Sequence, residues 1–213
     1  VLEIKKIIKN KKIVLIEDCA QALGAKINNK NVGNFGDFAV FSFHAQKNIS
    51  TLGEGGMLVV NNKKYQKYIP GLRHNGHRNF NKKIDYWLPA MVDVCEDIKG
   101  ITPFNFPMME VQAAVGSLLI KRADKLNSKR IRRAEKFIKS MKIYPFLNFQ
   151  KKVKNYKSVY HLLPARLDTR DLKFNRNEFI ELMSEKYEIK VIVQFYPLYR
   201  YDFFKKINKK KVS

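Results

Sequence analysis

At 213 residues, with 45% hydrophobic and 12% aromatic residues, the chain can bury the core of one domain, or of a large domain with a small partner, and wholesale disorder is excluded. No apolar run approaches the roughly 18 residues that a membrane-spanning helix needs, so no membrane partner is expected. The formal charge of +23 raises a polyanionic partner, but the lysines are spread along the whole chain and read as compositional bias, so nucleic acid is not the expected partner.

In chain order, Leu2, Ile4, Ile7 and Ile8 recur at helical spacing and predict a helix within residues 1–12; lysines break this stretch, so it does not read as a signal peptide. Ile13 to Glu17 is a short β-branched run and reads as a buried strand of a parallel sheet, with Asp18 at its carboxyl end. Cys19 to Leu23 reads as a helical turn closed by Gly24. Residues 28–34 are polar and turn-rich, bracketed by Gly33 and Gly36. Phe38 to Phe43 and Met57 to Val60 read as strands on either side of a loop at 44–56, and a helix is expected from Asn62 onward. Residues 86–107 are irregular and acidic in patches. A single long helix is predicted from near Met108 to about Met141. Val111, Val115, Leu118 and Leu119 would form its apolar face, and the basic residues from Lys121 to Arg133 its solvated face. Beyond Tyr144, Val159 to Leu167 and Ile189 to Phe195 read as strands flanking a helix at Arg176 to Tyr187, which Asn175 is placed to cap. This β–α–β stretch predicts a smaller second domain at 143–213 behind a large domain at 1–142. The chain starts without Met in what reads as an ongoing domain and stops after a lysine run, so both ends are expected to be cut. The two cysteines, Cys19 and Cys95, lack metal-type spacing and are too few for a disulfide framework. They read as free thiols in a reducing cytoplasm, with no metal expected.

The residues that carry chemistry fall in three segments: Glu17–Ala25, Gly36–Gly56 and Phe104–Gly116. Asp18 sits at a predicted strand end, where ligands bind in open α/β sheets. Lys47 lies in the loop past the next predicted strand, so the two could share a crevice. Ser42, near the end of that strand, has a hydroxyl that could donate to a phosphate, and Gly53, Gly55 and Gly56 permit close backbone approach. Spacing alone makes only a weak case for an α/β enzyme. A lone lysine in so basic a chain is ordinarily a solvated charge, and the Gly53–Gly56 turn lacks the spacing of a nucleotide-binding loop.

Several co-linear motifs resemble the DegT/DnrJ/EryC1/StrS family of sugar aminotransferases. They are Asp18 through Gly24, Gly36-Asp37, Phe41-Ser42-Phe43, Lys47-Asn48, Gly53 through Gly56, Asn105-Phe106, Glu110 through Gly116, Tyr160-His161 and the run Val191 to Tyr199 with its Tyr-Pro-Leu turn. The resemblance implies an α/β chain: part of a fold-type I large domain, a mainly parallel sheet with helices, plus a smaller α+β C-terminal domain. It implies pyridoxal 5'-phosphate as cofactor, carried by Lys47, which would also shuttle the proton of the reaction. Asp18 would pair with the pyridine nitrogen, Gln21 would lie against the ring near its phenolic oxygen, and Ser42 would bind the phosphate. Asn105 would reach the phosphate bound by a partner subunit, so a homodimer is implied. His44, just past Ser-Phe, either faces the site or is an ordinary polar loop residue. The implied reaction moves an amino group, with glutamate as donor, to a nucleotide-linked keto-sugar for amino-sugar or polysaccharide synthesis in the cytoplasm. Lys47 argues against the dehydratase branch, where histidine takes its place. Two departures stand out: Ala45-Gln46 where many members have Pro-Thr or Pro-Ser, and Pro107 where many have Arg or Lys. The resemblance also implies an N-terminal segment that grips the phosphate, which Val1–Lys12 does not supply, so this chain alone is expected to bind the cofactor poorly. A basic binding module using Lys121–Arg133 and Lys205–Lys211, or a catalytically inert fragment, are the alternatives.

Overall fold

The computed structural model describes residues 1–76 and 101–210. Expectations for residues 86–100, Cys95 included, lie outside the described residues. The chain forms two compact units: Val1–Met141 with Gln150–Pro164, and Lys142–Phe149 with Ala165–Ser213. Residues 150–164 thus fall with the first unit, although the sequence pattern groups them with the second domain.

In the first unit, α1 (Leu2–Ile7) is shorter than the expected 1–12 span and leads to β1 (Ile16–Asp18). A two-residue turn joins β2 (Lys26–Ile27) to β3 (Lys30–Asn31). Asn28 and Asn29 make that turn, both at positive φ (49° and 62°), the pairing that suits a tight hairpin. β4 (Phe38–Ser42) and β5 (Gly56–Val60) follow. The main sheet has the order β1-β4-β5. β1 runs parallel to β4, with Asp18 opposite Val40, and β5 runs antiparallel to β4, with Ser42 opposite Gly56. The sheet is therefore mixed in the described residues.

β1 starts later than the apolar run suggests, because its ladder begins where β4 begins, at the Ile16–Phe38 pair. Ile13 and Val14 lie outside it and are exposed. Nor is the strand buried on both faces. Glu17 and Ala39 point into the core at 8% and 0% exposure, while Ile16 is 62% exposed; in the described sheet β1 has a neighbour on one side only.

Two carboxylates fasten this sheet to its turns. Glu17 Oε1 accepts the backbone N–H groups of Phe35 (2.6 Å) and Gly36 (2.8 Å), and Oε2 accepts that of Gly33 (3.0 Å). Asp37 Oδ2 accepts from Leu15 N–H and Oδ1 from the Asn62 amide, both at 2.9 Å. The Leu15 N–H and then Asn62 hold the Asp37 carboxyl below the ordinary carboxylate value, with Lys5 nearby adding to the effect. A carboxyl with a lowered folded-state pKa binds fewer protons folded than unfolded. Its stabilising contribution is therefore present above the ordinary value and lost as pH falls through the lowered one. Asp37→Asn should flatten this acid limb in melting temperatures measured from pH 6 down to pH 2.

Asn62 caps α2 (Lys63–Gln66) by accepting from Lys64 N–H, and α3 (Ile69–Arg73) follows. The single long helix predicted from Met108 to Met141 is two helices, α4 (Glu110–Ile120) and α5 (Ala123–Ser140). Arg122 N–H turns back to Leu119 O at 2.9 Å, a tighter bond than the helical ladder, which ends α4 there. Neither residue between the helices is Gly or Pro, so the pattern carries no sign of the break. The expected apolar face of α4 is largely open, with Val111 and Leu118 exposed. α4 meets the 44–56 loop through the Gln112 amide at Glu54 O and through Gly116 against Thr51. A Cβ at Gly116 would lie 2.9 Å from Thr51 Cγ2, and Thr51 is fully buried. Gly116→Val should therefore destabilise the chain by about 1–3 kcal/mol through overpacking, read as a lowered denaturation midpoint.

β7 (Tyr156–Lys157) pairs with β2, which is how 150–164 joins this unit. Val159 and Tyr160 are buried here rather than extended in a strand; Tyr160 takes φ +44°, which interrupts the expected 159–167 run. In the second unit β6 (Leu147–Phe149) pairs antiparallel with β8 (Ala165–Leu167). α6 (Arg176–Tyr187) has the expected bounds. Asn175 accepts from the N–H groups of Asn177 and Glu178, and Glu178 reciprocates at Asn175 N–H, a complete capping box. The expected strand at Ile189–Phe195 does not form: the run has no ladder partner among the described residues, and Ile192 and Phe195 are exposed. α7 (Asp202–Lys210) was hidden in the basic tail, where Phe203, Phe204 and Ile207 carry the helical spacing.

Candidate active site

Asp18 and Ser42 close the neighbouring parallel strands β1 and β4 at the same end of the sheet. Side chains alternate along a strand. Asp18, its partner Val40 and Ser42 therefore share one face, while Glu17 and Ala39 take the buried one. Asp18 Oδ1 accepts Ala20 N–H at 3.0 Å, which bends the chain away from the sheet as Asx turns do. Its other oxygen has no donor among the described residues. Gln21 follows in this turn and is exposed. Between them Cys19 is buried, with its thiol pushed up to about 11, first by burial and then by Glu17 and Asp18. It is a free, packed thiol, inert at neutral pH.

β4 runs into the Lys47 loop, which its own backbone closes. Phe43 N–H donates to Gly55 O (2.8 Å), Thr51 N–H to Phe43 O (2.9 Å), Ala45 N–H to Gly53 O (2.6 Å) and Lys47 N–H to His44 O (2.9 Å). Thr51 Oγ1 donates to Glu54 O at 2.9 Å, and Gln112 of α4 donates to the same carbonyl from outside at 2.9 Å. Gly55, at φ +159°, leaves no room for a Cβ, which would collide with the Thr51 hydroxyl. Ala45-Gln46 thus sits in a loop already tied down without proline. Ser42 Oγ accepts His44 N–H at 3.3 Å, so its own proton remains available to an outside acceptor. His44 serves its loop: Nδ1 accepts Gln46 N–H at 3.2 Å, and Nε2 lies 3.6 Å from Glu54 Oε1. Lys47 is half-buried, and its amine makes no hydrogen bond or ion pair among the described residues.

Asn105 is exposed and belongs to a separate backbone bridge with His74, flanked by Phe104 N–H to Leu72 O and Phe106 N–H to Arg73 O, each 2.8 Å. No hydrogen bond among the described residues joins it to Asp18, Gln21, Ser42 or Lys47. The sequence pattern missed Asn127 of α5, which is 1% exposed and hydrogen-bonded to Asn48 and to Leu23 O. Its only trace is a short neutral amide inside a strongly basic helix.

The profile of the DegT/DnrJ/EryC1/StrS aminotransferase family matches residues 1–213. A UDP-4-amino-4,6-dideoxy-N-acetyl-beta-L-altrosamine transaminase of Campylobacter jejuni is 31% identical over 206 residues, covering 96% of this chain and 50% of that protein. A GDP-4-keto-6-deoxy-D-mannose 3-dehydratase of Escherichia coli is 32% identical over 151 residues, 70% of this chain and 39% of that protein. Among solved structures, Helicobacter pylori PseC, an aminotransferase of pseudoaminic acid biosynthesis, superposes with a TM-score of 0.80 at 28% identity, over 98% of this chain and 52% of that one. The chain therefore spans at most about half the length of these relatives.

Proposed function

The chain belongs to the DegT/DnrJ/EryC1/StrS aminotransferase family, and from that premise we propose that it serves a transamination in which an amino group passes from glutamate to a nucleotide-linked keto-sugar. The cofactor of this family is pyridoxal 5'-phosphate. The observation that carries the reading is the shared sheet end. A carboxylate with one oxygen uncommitted and a hydroxyl with its proton uncommitted face the same way on adjacent parallel strands, and the second strand leads straight to a lysine whose amine has no partner among the described residues.

These donors fit the group. Asp18 would hold a proton on the pyridine nitrogen, Ser42 would donate to the phosphate, and Gln21 would lie beside the ring. When bound, the cofactor supplies an electron sink for the bonding pair left behind as a proton departs from the amino-bearing carbon. Lys47 Nζ would anchor the cofactor and carry that proton to its new carbon. Asn105 would act across a homodimer interface on the partner's phosphate. Residues 1–142 would then be the cofactor-binding part and 143–213 part of the small domain, with 150–164 packed on the former. Lysine at position 47 favours amino transfer over dehydration. No helix among the described residues is long and apolar enough to cross a membrane, and the cytoplasm, where nucleotide-sugars are made, is the proposed location.

The test is chemical fixation. The chain is incubated with excess pyridoxal phosphate, which offsets the weak grip expected of this chain alone, then reduced with borohydride and peptide-mapped. The label is expected to concentrate on the Lys47 peptide. An even spread over surface lysines would sink the reading.

A further inference from the structure

The residue after Lys47 is an asparagine whose amide is engaged at both ends. Asn48 Nδ2 donates to Asn127 Oδ1 at 3.0 Å and, at 3.4 Å, to Val159 O. His161 Nδ1 lies 3.3 Å from Asn48 Oδ1. Asn127 Nδ2 donates to Leu23 O at 2.9 Å. One unbroken row of polar contacts therefore runs from the turn after Asp18, through a buried side chain of α5, to the residue beside Lys47, and ends on His161. The packing around it is close: a Cβ at Gly24, itself at φ +83°, would come within 2.6 Å of Asn127 Nδ2.

The direction of every bond in the row follows from one atom. Leu23 O is a carbonyl and can only accept, so Asn127 presents its NH2 there and its oxygen to Asn48. That oxygen can only accept, so Asn48 presents its NH2 in turn. Asn48 Oδ1 is then left facing His161, whose proton must sit on Nδ1. In the neutral ring the lone pair is on Nε2. The charged groups around the ring are Lys47 from the loop and Arg130 from α5, with Lys129 and Arg133 of α5 lining the same cleft and Tyr160 beside it. All four charges are positive. Burial first, then Lys47 and Arg130, push the imidazole below its ordinary value, which keeps it neutral.

We propose that Asn48, Asn127 and His161 are positioning residues: a directional amide relay that pins the Lys47 loop to the turn after Asp18 and holds His161 as the Nδ1–H tautomer. The relay's purpose rests on the reading of Lys47 and Asp18 as the cofactor-gripping pair; its geometry does not.

The experiment uses the 213-residue chain with 15N-labelled histidine. Ring 1H–15N correlations should show His161 neutral and protonated at Nδ1; an Nε2–H pattern overturns the relay. Backbone amide exchange supplies a second readout. His161→Asn keeps a donor at the Nδ1 position and should leave the Lys47 and Thr51 amides within about twofold of wild type. His161→Gln moves the donor to the Nε2 position and should speed both roughly tenfold, the equivalent of about one lost hydrogen bond. Asn127→Asp, which sets an acceptor against Leu23 O, should do the same or more, with the β4–β5 ladder amides unchanged. If that variant fails to fold, the His161 pair still decides. Equal behaviour of the Asn and Gln variants refutes the proposal. Fixation of pyridoxal phosphate at Lys47, followed in parallel, separates the two ideas. Relay signatures without fixation sink the cofactor reading alone, and fixation beside an Nε2–H tautomer sinks the relay alone.

Discussion

In the proposed transamination, Lys47→Ala is expected to lower conversion of glutamate to its keto acid, in single turnover with saturating pyridoxal phosphate, by about 10²- to 10⁴-fold, the range contributed by a positioned proton-transferring group. The loss should not be shared by lysines elsewhere, because this amine alone extends from the loop that continues β4 past Ser42. Lys47→Arg should fare no better, since a guanidinium stays protonated at any working pH and cannot accept the proton. Folding should survive both changes, because the loop is closed by backbone bonds and Thr51 rather than by the Lys47 side chain. Equal melting temperatures with lost turnover is the expected pair of results. Turnover of Lys47→Ala within tenfold of wild type would remove the residue from the chemistry.

The second large effect concerns stability. Glu17→Ala leaves three backbone N–H groups, those of Gly33, Phe35 and Gly36, without their acceptor in a buried turn. An unsatisfied buried donor costs about 1–3 kcal/mol, so a loss of about 3 kcal/mol or more is expected in urea denaturation even after some relaxation. Glu17→Gln keeps one acceptor oxygen and should recover part of the loss. Gly33 adds to the sensitivity of this turn: at φ +89°, a Cβ there would sit 2.7 Å from Phe41 Cζ.

Much of the chain was legible where local chemistry decides the outcome. β4, the 44–56 loop and α6 follow from apolar runs, glycines and the Asn175–Glu178 cap, all short-range signals. The failures share a cause in longer range. Strand starts depend on the partner, so β1 begins at the register set by Phe38, and Ile189–Phe195 stays unpaired despite its alternation. The break at Lys121–Arg122 is made by a backbone bond that no residue type announces. At the candidate site, the sequence pattern placed Asp18 and Ser42 at or near strand ends and Lys47 in the loop beyond, and the structure has them there; the roles proposed for the three come from motif resemblance. Asn127 was invisible because a buried amide is defined by what surrounds it, and Leu23, Asn48 and Val159 are distant in sequence.

Neighbouring acids on β1 face opposite ways, Glu17 inward and Asp18 outward. A one-residue slip of this strand against β4 would exchange them. The turn at Gly33–Gly36 would meet a carboxylate one carbon too short, and the open side would receive one too long. Any molecule mis-threaded here therefore fails as a fold at the same moment that it loses the outward carboxylate proposed to meet the cofactor. Selection for a sound core polices the aim of the acid beside it, without a separate safeguard.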